Sequence, residues 1–322
     1  MGGRIHMSAA GTIVVTGAGG FIGQALVRRL VAQGARVVAQ LRRAAPLPPD
    51  VITGMIGDIT AQTDWSAVLR GATAVVHLAS RAHKRAGDER EWIEGEAAAA
   101  ANLARAAATA GVERLLLMSS IKVLGEHTPE LPFRAHLRPA PEDAYGLAKW
   151  RMEEAMRTAM REGSTLVVLR PPLVYGPGVK ANLLALIRLV DLGVPLPLAS
   201  VDNRRAFIFL DNLLDLVVTA LDHPAARGGT FLLRDAEEVS TPALIRAIAT
   251  ALGREARLFP CPPALLHAVA QLVGMSALAD RLLESLRIDD GVTREKLGWR
   301  PRVSLADGLA ETCRWYRGEA GE

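Results

Sequence analysis

The chain has 322 residues, half of them hydrophobic and 22% charged, with a formal net charge of +4. That length suits one large α/β unit or two intimate ones, and its basic residues are interspersed with acids among few aromatics, which argues against nucleic acid as a partner. No apolar run is long enough to cross a bilayer, and the two cysteines, Cys261 and Cys313, have neither metal nor redox spacing, so the expectation is a cytoplasmic protein with no membrane and no metal site.

Met1 to Ala10 lacks an apolar signal core, and residues 1–10 read as a flexible tail. Thr12–Thr16 reads as a buried strand, followed by a glycine-rich turn and an apolar-striped helix over Phe21–Gln33 that Gly34 closes. Strands are expected at Arg36–Leu41, Ile52–Ile56 and Ala74–Leu78, then an alanine-rich helix over Glu91–Ala110 ended by Gly111. A strand at Arg114–Met118, a helix over Ala144–Arg161 and a strand at Thr165–Arg170 follow. This alternation demands right-handed crossovers and an α/β Rossmann fold, a doubly wound parallel sheet over residues 11–173. Beyond it, prolines from Pro177 to Pro263 punctuate shorter helices. Residues 174–322 read mainly as a smaller C-terminal substrate-binding domain, with Ala206–Leu221 a candidate return to the sheet. The Leu- and Ala-rich helix over Pro263–Val273 reads as domain core rather than a membrane anchor.

Gly17, Gly20 and Gly23 form G-x-x-G-x-x-G between the first strand and first helix. A side chain at the first two would block a tight turn and the approach of a pyrophosphate to the helix N-terminus, and Gly23 lets helix and strand pack closely. Phe21 and Ile22 open that helix beside the same phosphates. The second strand ends in Gln40-Leu41-Arg42-Arg43, without the carboxylate that would accept from the ribose hydroxyls of NAD. Arg42 and Arg43 can instead meet a 2′-phosphate, so NADP(H) is favoured and NAD(H) is the alternative. Asp58, followed by Ile59, is placed to accept from the adenine amino group, and Leu78, Ala79 and Ser80 end the fourth strand beside the nicotinamide ribose. His77 reads as a packed core histidine.

Tyr145 and Lys149 form Y-x-x-x-K at the start of a helix, a spacing that puts both on one face. An ammonium near a phenol favours the phenolate, which would let tyrosine exchange a proton near neutral pH. Ser119-Ser120 ends the fifth strand, and a hydroxyl there faces the crevice where ligands bind in such sheets and can hold a substrate oxygen toward the tyrosine.

Glycine loop, strand-end serine and Y-x-x-x-K in this order resemble the extended short-chain dehydrogenase/reductases, the NAD-dependent epimerase/dehydratase family. The resemblance runs from about Thr12 to Tyr316 and includes Arg170–Gly178, Arg205–Asn212 and Leu297–Pro301. It implies Ser120, Tyr145 and Lys149 as the catalytic residues, Pro172 as a further cofactor contact, and Arg205 as the arginine that binds the diphosphate of a UDP-linked sugar. Leu173 stands where many members carry asparagine, so Lys180 and Asn182 become the substitute substrate contacts. Glu96 stands where an asparagine often opens an Asn-x-x-Gly-Thr stretch. The family also implies a homodimer through two helices flanking the tyrosine.

Ile121-Lys122 replace the acid pair that a 4,6-dehydratase of this family carries, which leaves elimination without a proton donor. Two reactions remain. The segments around Ser120 and Tyr175 look most like bacterial reductases of UDP-4-keto-6-deoxy-N-acetylglucosamine in surface polysaccharide biosynthesis, with Tyr145 as general acid. The alternative is a UDP-sugar 4-epimerase with tightly bound NAD. A non-catalytic NADP-binding redox sensor is disfavoured, because such proteins lose the tyrosine or lysine retained here.

Overall fold

Runs of consecutive apolar residues, too short for helices, form strands covered on both faces. In the computed structural model, which describes residues 11–80, 88–160 and 163–318, the expected tail lies outside the described residues. β1 (Thr12–Thr16), β2 (Arg36–Leu41), β3 (Ile52–Met55), β4 (Ala72–His77), β5 (Arg114–Met118) and β6 (Thr165–Arg170) follow the expected order within one to two residues. β7 (Leu173–Tyr175) and β8 (Phe207–Phe209) pair with each other, and β9 (Thr230–Leu232) completes a parallel main sheet of order β3-β2-β1-β4-β5-β6-β9. The order reverses beside β1, which opens the ligand crevice at the carboxyl ends of β1 and β4.

Strand periodicity of two divides the core. Ile13 and Val15 face α1 (Phe21–Ala32), while Val14, Val75 and Leu115 face α2 (Glu89–Thr109) and α3 (Ala144–Ala159). On that second face Ala100, Ala104 and Ala107 let α2 approach α3 closely, with Met152 and Met156 filling the seam. Beyond β7 come α4 (Ala181–Asp191), α5 (Leu210–Asp222), α6 (Thr241–Ala251), α7 (Pro263–Leu272), α8 (Ser276–Leu283), α9 (Gly291–Leu297) and α10 (Leu305–Tyr316). A separate core gathers Ile187 of α4, Ile248 of α6 and Leu309 of α10 around Phe209.

Two expectations change. Ala206–Leu221 gives no strand to the main sheet: only Phe207–Phe209 is extended, and it pairs with β7. The apolar residues after it recur with helical period, so α5 lies over the α1 face through Leu213 and Val217, and β9 takes the sheet edge. The Pro263–Val273 helix is also not core. α7 buries no residue, Leu272 is 87% exposed, and the helix is clipped to α8 by His267 Nε2 and Asp280 Oδ1 at 2.8 Å. The core of this region is already filled by α4, α6 and α10, and Ala/Leu composition does not say which neighbour covers a helix.

Much of Arg205–Asn212 and Leu297–Pro301 is architectural. Asp235, buried, accepts from Tyr175 Oη at 2.8 Å, from Asn212 Nδ2 at 2.7 Å and from the Phe209 amide at 3.1 Å. Asn212 in turn accepts from the amides of Arg302 and Val303, and Trp299 Nε1 donates to Asp215 at 3.1 Å. These bonds tie the loop after β9 and the stretch before α10 to α5 and the β7–β8 pair.

Candidate active site

The glycine loop has the geometry its spacing requires. Gly17 has φ +68°, and a Cβ there would stand 2.8 Å from the Ala79 amide nitrogen; a Cβ on Gly23 would overlap the Gly17 carbonyl oxygen. The loop therefore passes directly over the end of β4, with α1 close behind it. The cradle opens on a cavity of about 690 Å³ walled by Gly17, Gly20, Arg42, Arg43, Asp58, Ile59, Leu78, Ala79 and Ser80, which joins nine of the expected cofactor positions. Phe21, Ile22, Gly23, Tyr145, Lys149 and Pro172 are not in that wall. A cradle that a single Cβ would fill, beside a helix N-terminus, fits a dinucleotide pyrophosphate.

Two features of this cavity escaped sequence reasoning. Gln40 is buried and its Oε1 accepts from the Gly17 amide at 3.1 Å, so the second strand braces the loop. Arg42 and Asp58, expected to hold opposite ends of an adenosine, are paired with each other at 3.3 Å with both side chains half exposed. Arg43 remains in the wall as the expected cation. His77 is buried, 2.7 Å from Thr16 Oγ1, and burial followed by the Lys149 charge pushes it down to about 3. It is a neutral packed histidine, as the apolar strand around it suggested.

The strand-end serines diverge. Ser119 Oγ donates to Glu153 Oε1 at 2.5 Å, beneath the site, where Glu153 is also held by Arg170 Nη2 at 2.7 Å and by Arg157 at 3.0 Å. Ser120 caps the short 3-10 turn Ile121–Val123 and accepts from the Lys122 amide. Of the pair, Ser120 is the one whose hydroxyl is not committed to this buried cluster. α3 starts hard against that turn: Asp143 caps it through the Gly146 amide at 2.7 Å, and a Cβ on Gly146 would lie 2.5 Å from the Lys122 carbonyl oxygen. Lys122 itself is bonded to Asp143 Oδ2 and Glu126 Oε1, so it replaces the dehydratase acids with a cation that is already paired.

Tyr145 and Lys149 do share one face, with Nζ 5.8 Å from the ring centroid and donating to the Met118 carbonyl at 3.0 Å. The expected promotion of the phenolate is not what the site does. Burial, then the charges of Asp143 and Glu96, push the Tyr145 phenol up to about 12. Burial pulls Lys149 down to about 8 against the opposing pull of Glu96 and Glu153. The ammonium lies beside the ring and is outweighed by burial and two carboxylates, so Tyr145 rests as a phenol. Glu96, a departure from the expected asparagine, is 7% exposed and also walls the dinucleotide cavity.

Arg205 donates from Nη1 to the Glu284 carbonyl at 2.7 Å. Burial, with Arg281 close by, lowers it to about 10, and Glu126 opposes that. Glu126 also binds Lys122, which links Arg205 to the Ser120 turn. Lys180 and Asn182 flank Ala181, which has φ +55°, at the exposed start of α4. No hydrogen bond or ion pair joins either to Ser120, Tyr145 or Arg205 among the described residues. Nor does any group of three or more His, Cys, Asp or Glu among the described residues form a metal cluster.

Residues 13–233, from β1 through β9, match the NAD dependent epimerase/dehydratase family. The chain belongs to that family. The NAD dependent epimerase/dehydratase chain is 39% identical over 312 residues to a UDP-glucose 4-epimerase of Vibrio cholerae, covering 95% of each. It is 30% identical to a ceramide reductase of Caulobacter vibrioides, covering 96% of this chain and 95% of that one. Among solved structures it is similar to MoeE5 in complex with UDP-glucuronic acid and NAD, with a TM-score of 0.77, 24% identity, and coverage of 96% and 100%. That last likeness establishes the extended short-chain dehydrogenase/reductase fold. The epimerase/dehydratase chain has no helix, among its described residues, long and apolar enough to cross a membrane.

Proposed function

We propose that the protein is a UDP-sugar 4-epimerase that works with NAD held in the glycine-loop cavity. The observation that carries this reading is the Arg42–Asp58 pair: it commits the guanidinium that would otherwise meet a 2′-phosphate, leaving Arg43 alone for that task. Similarity to a UDP-glucose 4-epimerase over nearly the whole chain supports the same reaction. Bound dinucleotide would take hydride from C4 and return it. Ser120 would hold the C4 oxygen, Tyr145 would exchange its proton, Lys149 would bind the nicotinamide ribose, and Arg205 would meet the sugar diphosphate. A homodimer through the outer faces of α2 and α3 belongs to the same reading.

The 4-keto reductase, placed first by sequence, remains the second reading because one observation favours it. Tyr145 rests as a phenol, ready to give a proton, which is the need of a reductase acting on a UDP-4-keto-6-deoxy-N-acetylhexosamine with NADPH. Retention of Ser120, Tyr145 and Lys149 opposes the sensor reading. Incubation with UDP-glucose or UDP-N-acetylglucosamine and no added cofactor, followed by chromatographic separation, tests the first. The expected result is appearance of the C4 epimer without net change in reduced-nicotinamide absorbance. Stoichiometric NADPH consumption with the keto sugar, and no epimer from the hydroxylated ones, reverses the order.

A further inference from the structure

Ser120 and Tyr145 must meet one substrate oxygen, yet they come from separate elements, the turn that follows β5 and the start of α3. Lys122 joins the two. It stands two residues after Ser120, whose hydroxyl accepts from the Lys122 amide, and its Nζ reaches Asp143 Oδ2 at 2.5 Å, two residues before Tyr145. Asp143 uses its other oxygen, Oδ1, to cap α3 through the Gly146 amide at 2.7 Å. One carboxylate therefore grips the Ser120 turn with one oxygen and the first turn of α3 with the other. Glu126 Oε1 accepts from the same Nζ at 2.6 Å, so the ammonium is held from two sides. The bare Gly146 permits the close approach of α3 to the Lys122 carbonyl but does not enforce it.

We propose that Lys122 is a positioning residue that fixes the Ser120 turn against the start of α3, and so sets how far apart the Ser120 and Tyr145 hydroxyls lie. The consequence for turnover rests on the reading of that serine and tyrosine as the acting pair, but not on which UDP-sugar they serve. Charge-assisted bonds of this length are strong and directional. The pair is also partly solvated, with 23% of the Lys122 side chain and 32% of the Asp143 side chain exposed, and ion pairs in that setting contribute little to stability. Position and stability can therefore be separated here: without the clasp the two elements shift against each other, while the folded state is hardly less stable.

The test is amide hydrogen exchange of the whole protein, read by mass spectrometry beside turnover of UDP-glucose and NADH affinity. Lys122→Met keeps most of the side chain's length and removes its charge. Exchange is expected to rise in both the Ser120 turn and the first turn of α3, with the unfolding midpoint and NADH affinity unchanged. Turnover should fall by about 10–10²-fold in kcat, since a displacement of about 1 Å at a reacting group costs on the order of 10²-fold. Lys122→Arg, which keeps the charge, should restore both readouts. Asp143→Asn keeps the cap, because asparagine caps helices as well as aspartate does, but turns an amide donor toward the ammonium. It should reproduce the Lys122→Met effect, and the double variant should be no worse than either single one, as coupled residues require. Unchanged exchange in either segment, raised exchange with an unchanged kcat, or a loss that Lys122→Arg does not restore overturns the proposal. Should Lys122→Met fail to fold, Asp143→Asn carries the test by itself. The exchange measurement needs no substrate, so a protein inert toward every UDP-sugar would sink the proposed function while exchange still decides whether the clasp holds.

Discussion

At the scale of single residues, the chemistry turns on which groups are kept neutral. Tyr145 as a phenol up to about pH 12 is poised to give a proton. Tyr145→Phe should lower turnover by about 10²–10⁴-fold while dinucleotide affinity is unchanged, because proton transfer is lost and the cavity wall is not touched. Steady-state rates beside an NADH titration check this, and a variant within a few-fold of the original enzyme removes tyrosine from the reaction. His77 gives a second outcome. Its folded value of about 3 lies below the ordinary 6.5, so the unfolded chain takes up the extra proton between those values, and stability falls as pH drops through that window. His77→Asn, which cannot take up that proton, should flatten the acid limb of a denaturant-midpoint series between about pH 6 and 4. An unaltered limb would mean that other groups set it.

At the scale of elements, the site depends on how tightly α3 is pressed against the Ile121–Val123 turn. Gly146→Ala forces a methyl into the Lys122 carbonyl, and the start of α3, which carries Tyr145, must move to relieve it. A displacement of about 1 Å at a reacting group costs on the order of 10²-fold in rate, and overpacking costs roughly 1–3 kcal/mol. Both should appear together, in kcat and in the unfolding midpoint; loss of stability with full activity would show that Tyr145 tolerates the shift. This contact was not legible in the sequence, where Gly146 is merely the residue after a tyrosine. What was legible were features with a local cause: β2, β5 and β6 were readable to the residue because continuous apolar runs end at turn glycines or charges, and the glycine loop because its spacing is dictated by backbone approach. What was not legible depends on partners distant in the chain. The Arg42–Asp58 pair, the Gln40 brace and the raised phenol of Tyr145 arise from side chains whose meeting only the assembled sheet decides.

At the scale of the whole molecule, the two halves share one apolar core, in which Leu213 and Val217 of α5 join Ile13 and Leu26, and buried polar clasps hold the C-terminal half together. Asp235, Asn212 and Asp215 each serve partners from separate stretches of the C-terminal half. The α7–α8 pair stands outside these clasps. Leu272→Glu combined with Val273→Lys should therefore leave the denaturant midpoint within about 0.5 kcal/mol of the original, as for other exposed positions. A loss of several kcal/mol would mean that this surface is covered in solution. The late arrival of β9 reaches further, into how the protein is made. β6 is finished at Arg170, yet the strand that pairs with its outer edge begins only at Thr230. During synthesis the growing sheet must wait for that intervening stretch to leave the ribosome, with an apolar edge strand unpaired meanwhile. The main sheet, although it begins with the first described residues, cannot be completed until Leu232 has been made.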